Sequence, residues 1–319
     1  MNIKNNLTEL QRKQLSILEP QLRSCVKSAN LDKAKDITIK LQALLRPTGH
    51  ETRLLQAKNW LYETALEAGA LEFAKSGFKG NIAKSSNRTR INLEASALLA
   101  ICFLREKNIS EARILIFNVV DNINNIVSES RRKQFHERLL QRLEEESILS
   151  GLIGDSGEVL DLDEVNNETV SLVMKKSESE ILENIGFSVP PLSIDLLEQV
   201  QDAYILRLPA PDRILLPKPL SKDKKIDLGK RTSSALKRVA WRALCSPDSE
   251  IYKAWSQGLS VVYDKKYIAG AIVSAFNYFS ISITMLAASI AALAIKFGSE
   301  VFCEIFSPKS LMIDKKDKD

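Results

Sequence analysis

The stretch LLAICFLREKNISEA, residues 98–112, decides the fold. Its Ala100, Phe103, Ile109 and Ala112 are spaced 3, 6 and 3 apart. That spacing puts two residues on one helical face, a short turn after them, and two more on the face of a new helix. The same spacing recurs at Leu22, Cys25, Leu31 and Ala34, and again at Tyr62, Ala65, Leu71 and Ala74. The closing alanines fall 40 and 38 residues apart. A repeat of this length, with a small residue where one helix meets the next, predicts stacked helix pairs over residues 1–150. A generic helical bundle with coincidental spacing is the alternative.

The pattern resembles the tetratricopeptide repeat, most clearly at Leu99-Ala100-Ile101-Cys102-Phe103 followed by Ile109-Ser110-Glu111-Ala112. The resemblance covers roughly residues 15–127. It departs from the family in two ways. Lys107 or Asn108 stands where the turn glycine is usual, although the second copy keeps Gly69, and the repeats exceed the family's period of about 34 residues. The resemblance implies a concave surface that binds peptides or other ligands.

Composition agrees with helix. Of 319 residues, 45% are hydrophobic and only 6% aromatic, which favours helices over a β-sandwich. Cys25, Cys102, Cys245 and Cys303 form no metal or CxxC spacing. They read as reduced, buried thiols of a part that faces the cytosol. Met1 to Gln11 is polar, so no signal peptide is expected. Charge is segregated: residues 1–154 carry 24 Lys/Arg against 17 Asp/Glu, residues 155–220 carry 5 against 13, and residues 221–319 carry 16 against 10. Such blocks can dock on one another or meet anionic surfaces, and they can equally be solvated faces.

From Tyr267 to Ile295, 29 consecutive residues carry no charge, bracketed by Lys265-Lys266 and Lys296. About 20 apolar residues cross a hydrocarbon core, so the run predicts one transmembrane helix; a buried core helix is the alternative. On a helical wheel, Ile272, Phe276, Phe279, Ile283, Leu286, Ile290 and Leu293 share one face. Gly270, Ser274, Asn277, Ser280, Thr284 and Ala288 share the other. An amide such as Asn277 needs a partner in an apolar medium, so this small, polar face predicts self-association or a pore.

The fold class expected is therefore mainly α. A helical-repeat domain (1–150) is followed by an acidic, proline-containing connecting module (151–232) and a juxtamembrane helical connector (233–266). The transmembrane helix (267–295) and a polar tail (296–319) complete the chain. Within 151–232, Ser193 to Tyr204 reads as a short helix, while Ile205-Leu206 and Ile214-Leu215-Leu216 read as strands or extended segments. The basic residues Lys222, Lys237, Arg238 and Arg242 suit anionic headgroups or an ordinary connector.

Lys79, Lys84, Arg88 and Arg90 form one candidate cluster for an anionic ligand such as a nucleotide or oligonucleotide, and Arg131 and Arg132 open a second. A solvated helix face explains both as well. No nucleophile arrangement, zinc spacing, P-loop or dinucleotide fingerprint is present, so neither an enzyme nor a cofactor is expected. Asp161, Asp163 and Glu164 lack an EF-hand frame and read as a solvated loop. The layout looks like that of small bacterial anti-phage channel effectors, including the Hailong type, without a motif specific to them. That likeness implies a single-pass, homo-oligomeric membrane effector, its N-terminal part cytoplasmic at a bacterial inner membrane. A membrane-tethered adaptor recruiting a protein partner is the alternative.

Overall fold

The computed structural model describes residues 6–154, 158–205, 208, 225–247, 249–257, 265–306 and 310–312. The expected extended segment at Ile214–Leu216 and the basic residue Lys222 lie outside them. Among the described residues the fold is all helix. The chain forms two compact units, one of residues 1–140, 203–214 and 309–319, the other of 141–202 and 215–308.

Unit one begins with α1 (Glu9–Ser28), α2 (Leu31–Leu45), α3 (Glu51–Glu67), α4 (Leu71–Lys84), α5 (Arg90–Arg105) and α6 (Ile109–Asp121). One 3-10 turn, Ile123–Asn125, leads into α7 (Glu129–Leu152), whose first part completes this unit. Each of α1 to α6 packs on the next, and α1, α3 and α5 also pack side by side. The odd-numbered helices thus form an inner row, which is a helical-repeat architecture.

The recurring 3-6-3 spacing has a direct geometric cause. In each repeat the second position accepts the bond that closes the first helix. Asn30 N–H donates to the Cys25 carbonyl at 3.2 Å, Ala70 to Ala65 at 2.9 Å, and Asn108 to Phe103 at 2.9 Å. The fourth position donates the first bond of the next helix: Ala34 to Asn30, Ala74 to Ala70 and Ala112 to Asn108, at 3.0–3.2 Å. These Schellman-type turns need one left-handed residue, which is Ala29 (φ 53°), Gly69 (φ 80°) and Lys107 (φ 56°) in turn. The turn is kept at Lys107 although the glycine is not.

Unit two holds the rest of α7, then α8 (Leu162–Lys175), α9 (Glu178–Phe187), α10 (Pro191–Ile205) as far as Asp202, and α11 (Lys225–Cys245). After these come α12 (Glu250–Ser256), α13 (Lys265–Tyr278), α14 (Thr284–Phe297) and α15 (Ser299–Ile305). The expected helix at Ser193–Tyr204 is present within α10. Helix α14 is the axis: α8, α9, α13 and α15 pack around it. All nine residues from Leu286 to Ala294 are at most 1% exposed. The α9–α11 crossing is close enough that a Cβ on Gly186 would lie 2.0 Å from the Lys225 carbonyl oxygen. One on Gly229 would lie 1.8 Å from that of Leu182.

Two expectations are corrected here. The uncharged run is not one membrane-spanning helix. It is two helices of 14 residues, broken where Ser280 takes φ 53° and Ile281 N–H donates to the Phe276 carbonyl at 2.9 Å. At about 1.5 Å per residue each is about 21 Å long, short of the roughly 30 Å hydrocarbon core. Among the described residues no helix is long and apolar enough to cross a membrane. The second correction concerns thiols: Cys25 and Cys102 are buried thiols, but Cys245 and Cys303 are disulfide-bonded, 58 residues apart in sequence. The bond ties the end of α11 to α15, so the thiols carry no argument for a reducing compartment.

Candidate functional site

Two regions gather polar groups in apolar surroundings, one in each unit. In unit two, part of the small polar face of the uncharged run is used inside the fold. Asn277 Oδ1 accepts the Leu160 N–H at 2.9 Å, and the Ser280 carbonyl accepts the Gly154 N–H at 2.9 Å. Asn277 therefore pairs with the main chain just ahead of α8. Gly270 lies against Leu162, and the Ala288 carbonyl faces the Thr169 hydroxyl at 3.5 Å. Thr284 starts α14, while Ser274 and Ser280 are exposed.

The same unit carries a row of buried and half-buried ion pairs. Glu144 on α7 accepts from Gln201 (2.7 Å) and Arg231 (2.6 Å). Glu145 accepts from Arg238 (2.8 Å), Ser234 (3.1 Å) and Gln141 (2.9 Å), and Arg142 meets Glu146 at 2.7 Å. Burial raises both carboxyls, that of Glu145 to about 7, against the pull of Arg142. Lys237 lies over the Phe306 ring at 3.5 Å, and burial lowers it to about 8. Arg242 stacks near Phe279, 5.5 Å from its centroid. The basic residues of α11 weighed as headgroup contacts thus face carboxylates and aromatic rings.

The acids Asp161 and Asp163 also have structural work. Asp161 caps α8 by accepting the Glu164 N–H at 2.8 Å, and Asp163 pairs with Lys266 at 2.8 Å.

In unit one, several of the candidate anion-binding cations have partners within the fold. Lys79 lies 5.6 Å from the Phe103 ring centroid, Arg90 is 3.5 Å from Glu94, and Arg132 donates to the Ile126 carbonyl at 3.2 Å. Lys84, Arg88 and Arg131 are exposed. Lys58 is lowered, first by burial and then by the charges of Lys84 and Arg46, with Glu51 opposing.

The inner row contains polar groups that the sequence reading missed. On α3, Asn59, Glu63 and Glu67 recur every fourth residue and are at most 3% exposed. Asn59 donates to the Ile91 carbonyl (3.1 Å) and accepts from Asn81 (2.8 Å), tying α3 to α5 and α4. Glu63 instead holds the chain's own C-terminal segment. Its Oε2 accepts the Ser310 hydroxyl at 2.7 Å and its Oε1 accepts the Leu311 N–H at 2.8 Å. Arg138 on α7 donates to the Met312 carbonyl at 3.0 Å. Nearby on α7, buried His136 meets the Tyr204 hydroxyl at 2.5 Å. An acid inside the otherwise apolar WLYETAL run of α3 is the one local signal that marks this place.

No family model, curated protein or solved structure matches the chain.

Proposed function

We propose that the chain is an oligomeric membrane effector stored in a folded form. The helical-repeat unit receives a signal, and the α13–α14 hairpin is the part that enters lipid. The observation that carries this reading is α14 itself: a helix without exposed surface from Leu286 to Ala294, inside a 29-residue run without charge. A dry protein core and hydrocarbon satisfy such side chains about equally, so the run can exchange one for the other. Returning Ser280 and the extended Ile283 to the right-handed helical region joins both helices into one of about 50 Å, whose uncharged stretch of about 43 Å is long enough to span with tilt.

The cost lies in polar groups. Leaving the core takes Asn277 from the Leu160 N–H. Identical faces on neighbouring copies, with Gly270, Ser274, Asn277, Ser280, Thr284 and Ala288, resupply those hydrogen bonds between spans and can line a pore. The signal in this reading is an anionic ligand or a protein. The membrane is the inner membrane if the source is bacterial, with the N-terminal part cytoplasmic. A role in anti-phage defence rests on likeness of layout alone.

Cell-free synthesis of the full chain with vesicles containing anionic lipid tests this. Chain that floats with the vesicles and resists carbonate extraction is the expected result, with Asn277→Leu reducing oligomers in the extracted fraction. Chain that stays wholly in the water-soluble fraction as a monomer overturns the membrane reading. The second reading, a docking protein without membrane contact, is favoured by the peptide segment seated on Glu63 and predicts that soluble monomer.

A further inference from the structure

The contact at Glu63 has the grammar of peptide recognition. A buried carboxylate is costly unless its oxygens are filled, and two of the bonds it accepts come from one short segment. One is a main-chain N–H, which any residue but proline supplies; the other is a side-chain hydroxyl, which selects serine or threonine. Arg138 reads a main-chain carbonyl two residues further on. Between and beside these polar anchors the Leu311 and Met312 side chains are 2% and 3% exposed. The Met312 N–H returns to Ser310 Oγ at 3.1 Å, so the hydroxyl both donates to Glu63 and shapes the bend.

We propose that the Glu63–Arg138 face of the helical-repeat unit is a peptide-recognition site. It is held in cis by Ser310-Leu311-Met312 and taken by a partner protein's segment of the same chemistry, a hydroxyl residue followed by two bulky apolar residues. Three residues make a light contact, and its persistence in cis relies on the chain supplying its own segment at an effective concentration of millimolar order. A partner presenting the same three residues with further contacts outside them displaces it. A phosphorylated hydroxyl does not fit. It would set a dianion against the Glu63 carboxylate and remove the hydrogen donated to it. The site therefore takes a neutral ligand, unlike the exposed cations elsewhere on this unit. This assignment stands whether or not the hairpin meets lipid.

The test uses the full chain and a fluorescent peptide of residues 306–319, FSPKSLMIDKKDKD. In a chain carrying Leu311→Ala and Met312→Ala the cis segment is loosened. Fluorescence anisotropy should then show the peptide binding at least about tenfold tighter than to the unaltered chain. Adding Glu63→Gln should reverse that gain, and the same peptide with phosphoserine at the Ser310 position should not bind. Equal binding to the loosened and unaltered chains overturns the proposal. Should the loosened chain fail to fold, the unaltered chain is photo-crosslinked with a peptide carrying a benzophenone at the Leu311 position. Label on α3 and the start of α7 supports the site, and label elsewhere or none overturns it. A concentration-dependent dimer of the unaltered chain that the peptide dissolves would make a second copy the occupant and overturn the assignment to a partner protein.

Discussion

Replacing Gly186 or Gly229 with alanine sets two effects against each other whose sizes differ enough to decide the outcome. Both glycines lie inside helices, where alanine is favoured by about 1 kcal/mol. Against this stands the α9–α11 crossing. The added methyl carbons would lie 2.0 Å and 1.8 Å from carbonyl oxygens of the opposite helix, which cannot rotate away as a side chain can. Reaching an ordinary contact parts the helices by more than about 1 Å, and a gap of that size forfeits a quarter to a half of the dispersion energy across it. Ile181, Ile185, Ala235 and Leu236 are all buried in the core of this unit, and the first two belong to α9, the others to α11. Overpacking typically costs about 1–3 kcal/mol, and backbone against backbone puts these two sites at the upper end, so after the roughly 1 kcal/mol that alanine returns the net loss should be about 2 kcal/mol. The midpoint then falls by roughly 4–8 °C for a unit of this size. Thermal unfolding by circular dichroism, with hydrogen exchange to locate the loosened helices, measures it. Gly80→Ala is the control, because nothing lies within 4 Å of its Cβ position in α4. It should stabilise by up to about 1 kcal/mol. Two alanine variants that keep the wild-type midpoint within about 2 °C would refute the close crossing.

Three further outcomes follow from the same structure. Lys107→Gly should raise stability by up to about 1 kcal/mol, because the left-handed conformation at φ 56° costs lysine what it does not cost glycine; urea unfolding checks it. Cys303→Ser should cost about 4 kcal/mol, the chain-entropy value for a 58-residue loop, and a reductant should lower the unfolding midpoint of the unaltered chain but not of the variant. Unit two should show a shallow stability minimum between about pH 7 and 8. Glu145 is raised from 4.5 to about 7 when folded, so its penalty is relieved as pH falls through 7. Lys237 is lowered from 10.5 to about 8, so its penalty is relieved as pH rises through 8. Urea midpoints at about pH 5.5, 7.5 and 9.5 measure both arms. Glu145→Gln should flatten the acid arm and Lys237→Met the alkaline one.

What was legible in the sequence is what local geometry imposes. The 3-6-3 spacing survives in all three repeats because a Schellman turn and the helix start after it fix those offsets whatever the side chains are. The left-handed residue between them is free to drift from Gly69 to Ala29 and Lys107 at a cost of about 1–2 kcal/mol. The uncharged run was legible as apolar, but its destination was not. A helix buried on every side by protein has the same composition as one buried by lipid. The break within it falls at Ser280-Ile281-Ser282-Ile283, which offers neither glycine nor proline as a warning.

The remaining misses share one physical cause, which is distance along the chain. Asn277 is marked by its own chemistry as needing a partner, yet the partner is a main-chain N–H 117 residues earlier. Glu63 meets Leu311 across 248 residues, and Cys245 meets Cys303 across 58. Periodicity reports only on neighbours within a few turns, so it can flag a polar group in an apolar helix but cannot say what satisfies it. Such flags still have a use. Asn277 in the hairpin and Glu63 in α3 are both polar groups in apolar helices, and the fold answers each with a distant backbone N–H. A polar group of that kind, buried as Glu63 is or half-buried as Asn277 is, is where this chain joins segments that sequence alone leaves apart. Asn277→Leu and Glu63→Gln should therefore each loosen a remote segment, 158–160 and 310–312 respectively, with faster amide exchange there than in the helix that carries the substitution.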